Sequence, residues 1–176
     1  KFQGKERKVY LTGEAYFKVA KNTEHPFVVT AGELEVLVTG TTFGVRAYKD
    51  EKDIQTTLES GQVTVRVEGK SVKLVPNKQV LFNKSTMGLE VRDVDVDLYL
   101  AWADGRLVYD NCPLEKILTD LGRWYNIDVF YSRDELRSYQ FSLNMKKHEE
   151  FTQVLELIGK TGEVQFEIKD NTVIVK

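Results

Sequence analysis

Apolar and polar residues alternate with a period of two through most of the first half of the chain. Between Lys8 and Val91 roughly nine or ten short alternating segments follow one another. Turn-forming residues separate them, as at Gly13, Gly40 and Gly61. Alternation of this kind is typical of strands with one covered face. The spacing predicts an N-terminal antiparallel β sandwich or roll.

The period changes between residues 91 and 105. Asp93 or Asp95 can cap a short helix here, and Gly105 can end it. Its apolar residues are Val96, Leu98, Leu100, Ala101 and Trp102. We interpret 93–105 as a helix that connects two subdomains, 1–92 and 106–176, and we expect Trp102 to lie in the seam between them.

The stretch from Leu107 to Val129 predicts a strand, a helix and a second strand. One set of apolar residues recurs at the spacing of a single helical face: Leu114, Ile117, Leu118, Leu121, Trp124 and Tyr125. We expect Cys112 to occupy the N-cap, because Pro113 suits the first helical turn and Glu115 is placed as a capping-box acid. Asn126 can end the helix in a left-handed conformation.

The rest of the chain resembles a second copy of this unit. Tyr139, Phe141 and Leu143 alternate as in a strand, and a second helical stripe comes next at Phe151, Val154, Leu155 and Ile158. The pair Asp170-Asn171 suits a two-residue hairpin turn. The predicted order is β-α-β-β-α-β-β, with both helices on one face of one small mixed sheet. The predicted fold class is therefore all-β followed by α+β.

Composition indicates an ordinary globular protein, since 41% of the 176 residues are hydrophobic and 30% are charged. A net charge of −2 offers no field to attract nucleic acid or an anionic membrane, so we expect neither partner. No apolar run is long enough to span a bilayer. The first residues lack the apolar core of a signal peptide, and we expect the chain to be a fragment of a longer protein.

Few residues suggest catalytic chemistry. His25 precedes Pro26 in a predicted turn and His148 lies at a predicted helix start, so we interpret both as surface-loop residues. Cys112 lies near a helix N-terminus, which favours a thiolate, so a reactive-thiol enzyme stays an alternative. We expect no enzyme activity, no catalytic residues, no cofactor and no small-molecule substrate.

A metal site is also not expected. Asp93, Asp95 and Asp97 resemble the first half of a calcium loop, but Leu98 occupies the position where such a loop has glycine. The inward positions of the β-rich half are Val, Leu, Phe and Ala. They favour a packed interior over the metal cavity of a cupin-like enzyme.

Several motifs resemble those of the FecR family of transmembrane anti-sigma regulators, in their periplasmic part. The run VYLTGEAYFKV at 9–19 is similar to the family's opening V-x-L-x-G-E-A-Y-F-x-V, and PFVV at 26–29, GTTFGVRAY at 40–48 and TLESGQV at 57–63 resemble the family's next strands and turns. The later residues that match are Trp102, Gly105, Leu107, Pro113, Leu114, Glu115, Leu118, Leu121, Arg123, Trp124 and Tyr125. This later segment is similar to the short signalling domain (STN) of secretins and TonB-dependent receptors. The chain departs from the family at Asn77, where glycine is common, and at Cys112, where a hydroxylic residue is common.

The resemblance implies a periplasmic, signal-receiving domain of a single-pass inner-membrane protein. The implied partner is the N-terminal signalling domain of an outer-membrane TonB-dependent receptor. An ECF sigma factor would be bound only through a cytoplasmic segment that these residues do not include. The implied mechanism is binding and relay, and a periplasmic glycan-binding or other non-catalytic interaction module stays the alternative.

Open sheet edges in the C-terminal subdomain suggest where a partner could bind, because an extended segment can add there as a strand. We place Phe141, Leu143, Val173 and Val175 on or near such an edge as candidate partner-binding residues. The alternative is that all four pack beneath the helices. The residues predicted to be structural are Trp102, Cys112, Pro113, Leu114, Leu118, Leu121, Trp124 and Tyr125.

Overall fold

A computed structural model describes residues 4–146 and 150–176. The chain forms two compact units, Lys1–Leu100 and Ala101–Lys176. The boundary between them falls inside the segment 93–105 that is predicted to be a connecting helix. No helix of the described residues is both long and apolar enough to cross a membrane.

The first unit contains ten strands among its described residues. They are β1 (Arg7–Tyr10), β2 (Gly13–Val19), β3 (Phe27–Ala31), β4 (Leu34–Val38), β5 (Thr41–Ala47), β6 (Asp53–Ser60), β7 (Val63–Val67), β8 (Lys70–Leu74), β9 (Lys78–Asn83) and β10 (Gly88–Asp93). The alternation of apolar and polar residues therefore predicts the strands of this unit correctly.

These strands form two five-stranded sheets in the orders β1-β3-β4-β7-β8 and β10-β9-β6-β5-β2. Apolar side chains of both sheets pack into one core, so the predicted sandwich is confirmed. The expectation that it is wholly antiparallel is wrong for one pair, because β1 and β3 run parallel. The intervening β2 belongs to the other sheet, so the chain crosses the sandwich twice and returns in its original direction.

Cross-strand neighbours show how the alternation builds this core. Val29, Val36 and Val65 lie side by side on β3, β4 and β7, and all three are fully buried. Phe43 and Leu58, paired across β5 and β6, are equally buried in the same core. Full burial of side chains of this size stabilises the fold by about 1.5–3 kcal/mol each.

The short helix α1 (Asp97–Leu100) packs against the outward face of the second sheet, and a 3-10 helix (Ala101–Asp104) continues it. The Asp95 carboxylate accepts a 3.0 Å hydrogen bond from the Asp97 N–H. Leu100 is buried and packs over Gly44. A Cβ atom added at Gly44 would collide with Cδ2 of Leu100. Close packing of Leu100 therefore requires a glycine at this position in the GTTFG run.

The part of the second unit that the structure describes contains two longer helices and five strands. They are β11 (Arg106–Pro113), α2 (Leu114–Tyr125), β12 (Asp128–Tyr131), β13 (Gln140–Lys146), α3 (Phe151–Gly159), β14 (Phe166–Lys169) and β15 (Thr172–Val175), with a 3-10 helix (Asp134–Ser138) between β12 and β13. The predicted order β-α-β-β-α-β-β is confirmed. The predicted hairpin is also present, with Asp170 in the left-handed region at φ 51°.

The expectation of one small sheet is wrong. The strands form a two-stranded antiparallel sheet, β11-β13, and a separate three-stranded sheet, β12-β15-β14, in which β12 and β15 are parallel. Both helices and strands of both sheets contribute to one core. Because α2 contacts β11 from one sheet and β12 from the other, its apolar stripe is covered by both sheets rather than by one.

The C-terminal end of α2 agrees with the sequence-based expectation, whereas its N-terminal end does not. Asn126 takes the left-handed conformation and donates its backbone N–H to the Gly122 carbonyl, as predicted. The predicted Cys112 cap is wrong, because Pro113 is the cap residue and none of the described side chains caps the helix. Pairing of Cys112 with Phe141 keeps this residue in β11, so the helix starts later than the capping pattern predicts.

The contact between Gly44 and Leu100 predicts a coupled effect on stability. The substitution G44A should destabilise the first unit by about 1–3 kcal/mol, because the added methyl group overpacks a buried site. The double variant G44A/L100A should be more stable than the two single losses predict, since the second change makes room for the first. Urea denaturation measures all three free energies. Additive losses would show that Leu100 does not impose the glycine.

Candidate partner-binding surface

The structure places all four candidate partner-binding side chains inside the core of the second unit. Phe141 and Leu143 are 7% and 8% exposed, and Val173 and Val175 are 0% exposed. All four pack in the cluster that contains both helices. A partner that adds to this unit would therefore contact the backbone of these strands and the side chains on their other face.

The two pairs of candidates lie on strands with different surroundings. Val173 and Val175 belong to β15, which is the central strand of its sheet and pairs with β12 and β14 on its two sides. The expectation that they lie on an open edge is therefore wrong. Phe141 and Leu143 belong to β13, which pairs with β11 on one side and with no strand of residues 4–146 or 150–176 on the other.

Backbone hydrogen bonds show which groups of β13 face its open edge. The Tyr139 carbonyl accepts a 2.8 Å hydrogen bond from the N–H of Leu114, directly after β11. Backbone groups point to alternate sides along a strand, so those of Phe141 and Leu143 point towards β11. Those of Ser142 and Asn144 consequently point to the open edge, where they can pair with another strand.

The outward side chains of β13 leave this edge accessible. Gln140, Ser142, Asn144 and Lys146 are exposed, and only the last carries a charge. Proteins commonly protect an edge by a short strand, proline or several charges. At seven residues β13 is longer than β12 and β14, the four-residue edge strands of the other sheet, and its described residues have none of these protections beyond a single lysine.

A bulge in β11 lies beside this edge strand. The register shifts between Tyr109 and Cys112, and Asn111 takes a positive φ of 44°. Ser142 on β13 supports the bulge, because its Oγ accepts the Asn111 N–H at 2.8 Å and donates to Asp110 at 3.1 Å. The bulge holds the middle of β13 in place without using its outward backbone groups.

A buried carboxylate that was not among the predicted site residues joins α2 to β11. Asp120 is 3% exposed, and its Oδ2 accepts a 3.1 Å hydrogen bond from the Tyr109 hydroxyl. The same oxygen accepts a hydrogen bond from the Lys116 ammonium, with which it forms an ion pair. Arg123 approaches its other oxygen at 3.9 Å. The sequence feature that could have identified Asp120 is an acidic residue beside the apolar stripe of α2, with a basic residue four positions before the acid and another three positions after it.

Cys112 has surroundings that disfavour a reactive thiolate. Its thiol is half-buried, and burial raises the pKa above the ordinary value of 9.0. The positive charge of Lys116 acts in the opposite direction and the negative charge of Asp120 raises the pKa further. The net upward shift does not support the reactive-thiol alternative.

The other residues considered for chemistry have structural partners or exposed positions. His25 lies in an exposed loop and its N–H donates to the Asn22 side chain, while His148 lies outside the described residues. Asp93 forms a 2.6 Å ion pair with Lys78, and Asp95 caps α1. In the part of the chain that the structure describes, no three acidic, histidine or cysteine side chains gather as metal ligands would.

Most of the residues predicted to be structural lie in or against the core of the second unit. Leu114, Leu118 and Leu121 are fully buried on α2, and Trp124 and Tyr125 pack partly buried against the same core. The Tyr125 ring lies 6.0 Å from the ring of Phe151 on α3, which brings the two helices together. Trp102 lies half-buried in the 3-10 helix, and its place in an interdomain seam stays a prediction.

The Asp120 network predicts an unequal response to two acidic substitutions on α2. D120A should lower the free energy of unfolding by about 1–3 kcal/mol, because it removes a buried acceptor of the Tyr109 hydroxyl and the Lys116 ammonium. E115A removes an exposed 2.9 Å pair with Arg137 and should cost less than about 1 kcal/mol. Urea denaturation compares the two. Equal losses would contradict a stabilising role for the buried carboxylate.

The raised pKa of Cys112 predicts slow alkylation of the folded protein at neutral pH. The rate should be at least about tenfold below that in urea and should still rise with pH beyond 9.0, because the thiolate is the reacting form and the pKa of this thiol is raised above that value. The variant K116A should react more slowly still, since it removes the charge that lowers the pKa. Fast alkylation at neutral pH would reopen the enzyme alternative.

Two solved structures share the fold of this chain. Both are crystal structures of a "putative anti-sigma factor" from Parabacteroides distasonis ATCC 8503. One is 23% identical with a TM-score of 0.85, and the match covers 100% of this chain and 82% of that chain. The other is 23% identical with a TM-score of 0.84, and covers 99% and 82%. No protein with a curated description matches the chain.

Family models match both units. The model described as FecR protein matches residues 1–64, and the model described as FecR, C-terminal matches residues 106–175. The two matches fall in the first and second units in that order and together cover most of the chain. The chain belongs to the FecR family.

Proposed function

We propose that this chain is the periplasmic, signal-receiving part of an inner-membrane anti-sigma regulator. It binds the N-terminal signalling domain of an outer-membrane TonB-dependent receptor. The signal passes to an ECF sigma factor through a cytoplasmic segment of the same protein. The chain acts by binding and relay, without chemistry on a substrate.

The observation that carries this proposal is the pair of family matches, one in each unit. FecR membership supports a signal-receiving role in anti-sigma regulation for the chain as a whole. The named crystal structures share the fold, and their description as an anti-sigma factor is in keeping with the same role. The open edge of β13 offers a strand of such a partner a place to pair.

The open edge of β13 is the surface that we assign to the receptor domain. A strand from the partner that pairs with β13 would satisfy the outward backbone groups of Ser142 and Asn144. Each backbone hydrogen bond contributes about 0.5–1.5 kcal/mol net, so several along a seven-residue edge give measurable affinity. Phe141 and Leu143 contribute by holding β13 against the helices rather than by direct contact.

The position of β13 also suggests how binding could be relayed. β13 pairs along its length with β11, and β11 leads at one end into α2 and at the other into the 3-10 helix Ala101–Asp104. A partner strand that straightens β13 would act on the bulge between Tyr109 and Cys112, because Ser142 supports that bulge. The bulge is thus the element that we expect to change on binding.

Hydrogen exchange tests the proposed edge residue by residue. With a receptor signalling domain present, the amides of Ser142 and Asn144 should exchange more slowly, because they gain partners. The amides of Phe141 and Leu143 should change less, because they already face β11. Unchanged exchange of the two outward amides in a complex that forms would exclude this edge.

A proline substitution provides a second test with a matched control. N144P removes an N–H that faces the open edge and leaves the β11 side intact, so binding to the signalling domain should weaken at least about tenfold. N144A keeps the backbone N–H and should bind within about twofold of the unchanged protein. Isothermal titration measures both affinities, and thermal unfolding verifies that both variants are folded. Equal affinities of the two variants would contradict strand addition at β13.

A further inference from the structure

The second sheet of the α+β unit has an edge of its own at β14. Among residues 4–146 and 150–176, β14 pairs only with β15, so one side of Phe166–Lys169 is open. Ile168 lies opposite the fully buried Val173 and therefore on the core face, yet it is 43% exposed because it lies at the edge. An apolar side chain half outside the core is a feature that a neighbouring strand could cover.

The backbone of β14 is oriented for pairing at Ile168. Gln165 and Lys176 exchange hydrogen bonds of 3.0 and 2.9 Å across the hairpin. Because backbone groups alternate sides, Glu167 and Lys169 also bond to β15, while the N–H and C=O of Ile168 point to the open edge. A strand that pairs with this edge would form its central hydrogen bonds with the backbone N–H and C=O of Ile168.

The charges on this strand indicate which strand fits. Glu167 and Lys169 flank Ile168 and point to the face away from the core, and within one chain they form a 2.8 Å ion pair. Lys176 also pairs with Glu167, and hydrogen bonds from the two lysines lower the pKa of this carboxyl to about 2. Glu167 is therefore ionised at neutral pH.

The run Glu167-Ile168-Lys169 is its own complement in an antiparallel pair. If Ile168 meets Ile168 of a second copy, each glutamate lies directly opposite a lysine of the other chain. The Ile168 residues then exchange two backbone hydrogen bonds, and the flanking charged pairs occupy the non-hydrogen-bonded positions, where side chains come closest. An arbitrary partner strand has no reason to match this charge order.

We propose that two copies of this chain associate about a two-fold axis through antiparallel pairing of their β14 strands. The two three-stranded sheets become one six-stranded sheet, and the two Ile168 side chains cover each other. The interface is isologous, so one set of residues supplies both halves. A four-residue edge buries little surface, so the association is weak and depends on concentration.

Charge reversal gives a pattern of results that would not appear if the same residues only stabilised the fold. E167K and K169E each place like charges opposite each other twice in the dimer, so each should lower the self-association constant at least about tenfold. A mixture of the two single variants should associate, because lysines of one chain then face glutamates of the other. The double variant E167K/K169E should self-associate like the unchanged protein.

Sedimentation velocity over a concentration series of the 176-residue chain measures these outcomes. The unchanged chain should show a sedimentation coefficient that rises with concentration, and I168P should lose that rise because it lacks the central N–H. A monomer at every concentration would overturn the proposal, as would a mixture of E167K and K169E that fails to associate. Thermal unfolding of each variant verifies folding.

These outcomes are independent of the proposed receptor interaction. N144P changes the β13 edge and should leave self-association unchanged, whereas E167K should leave binding of a receptor signalling domain unchanged. If the single variant I168P lost both self-association and binding of the receptor signalling domain, the assignment of the two interactions to separate edges would be overturned.

Discussion

The second unit depends on one constraint, which is that two amphipathic helices must have their apolar faces covered. The stripe of α2 and that of α3 meet in a single core, to which strands of both small sheets contribute. The chain meets this constraint with strands divided between two sheets. Each small sheet retains open edges as a result. Two such edges, β13 and β14, carry the interactions proposed for this protein.

The two edges differ in the way that their side chains select a partner. Apart from Lys146, β13 presents neutral polar side chains and a long open backbone, which accept any strand of suitable shape. β14 is short and presents an acid and a base in a fixed order around Ile168. Backbone pairing supplies affinity at both, but only β14 adds a charge pattern that discriminates. This difference would allow one small unit to pair with another protein at β13 and with a second copy at β14, as proposed above.

Much of the fold could be predicted because its determinants are local. Alternation identifies the strands of the sandwich, the stripe from Leu114 to Tyr125 identifies α2, and Asn126 marks its end. The errors concern contacts between residues far apart in the chain. Pairing with Phe141 keeps Cys112 in a strand, and the parallel partner β12 makes β15 a central strand. For the candidate site, the sequence indicated β13 but could not show the buried position of Asp120.

The parallel pair of β1 and β3 has a consequence for the order of folding. The loop that their contact closes contains β2, whose apolar side chains are covered only when β2 joins the opposite sheet. If the loop closed before β2 docked, only the four residue pairs between β1 and β3 would form, and the apolar side chains of β2 would remain in water. Attachment of the first strand and closure of the sandwich are therefore favoured as one cooperative event, so β1 reports on whether both layers have assembled.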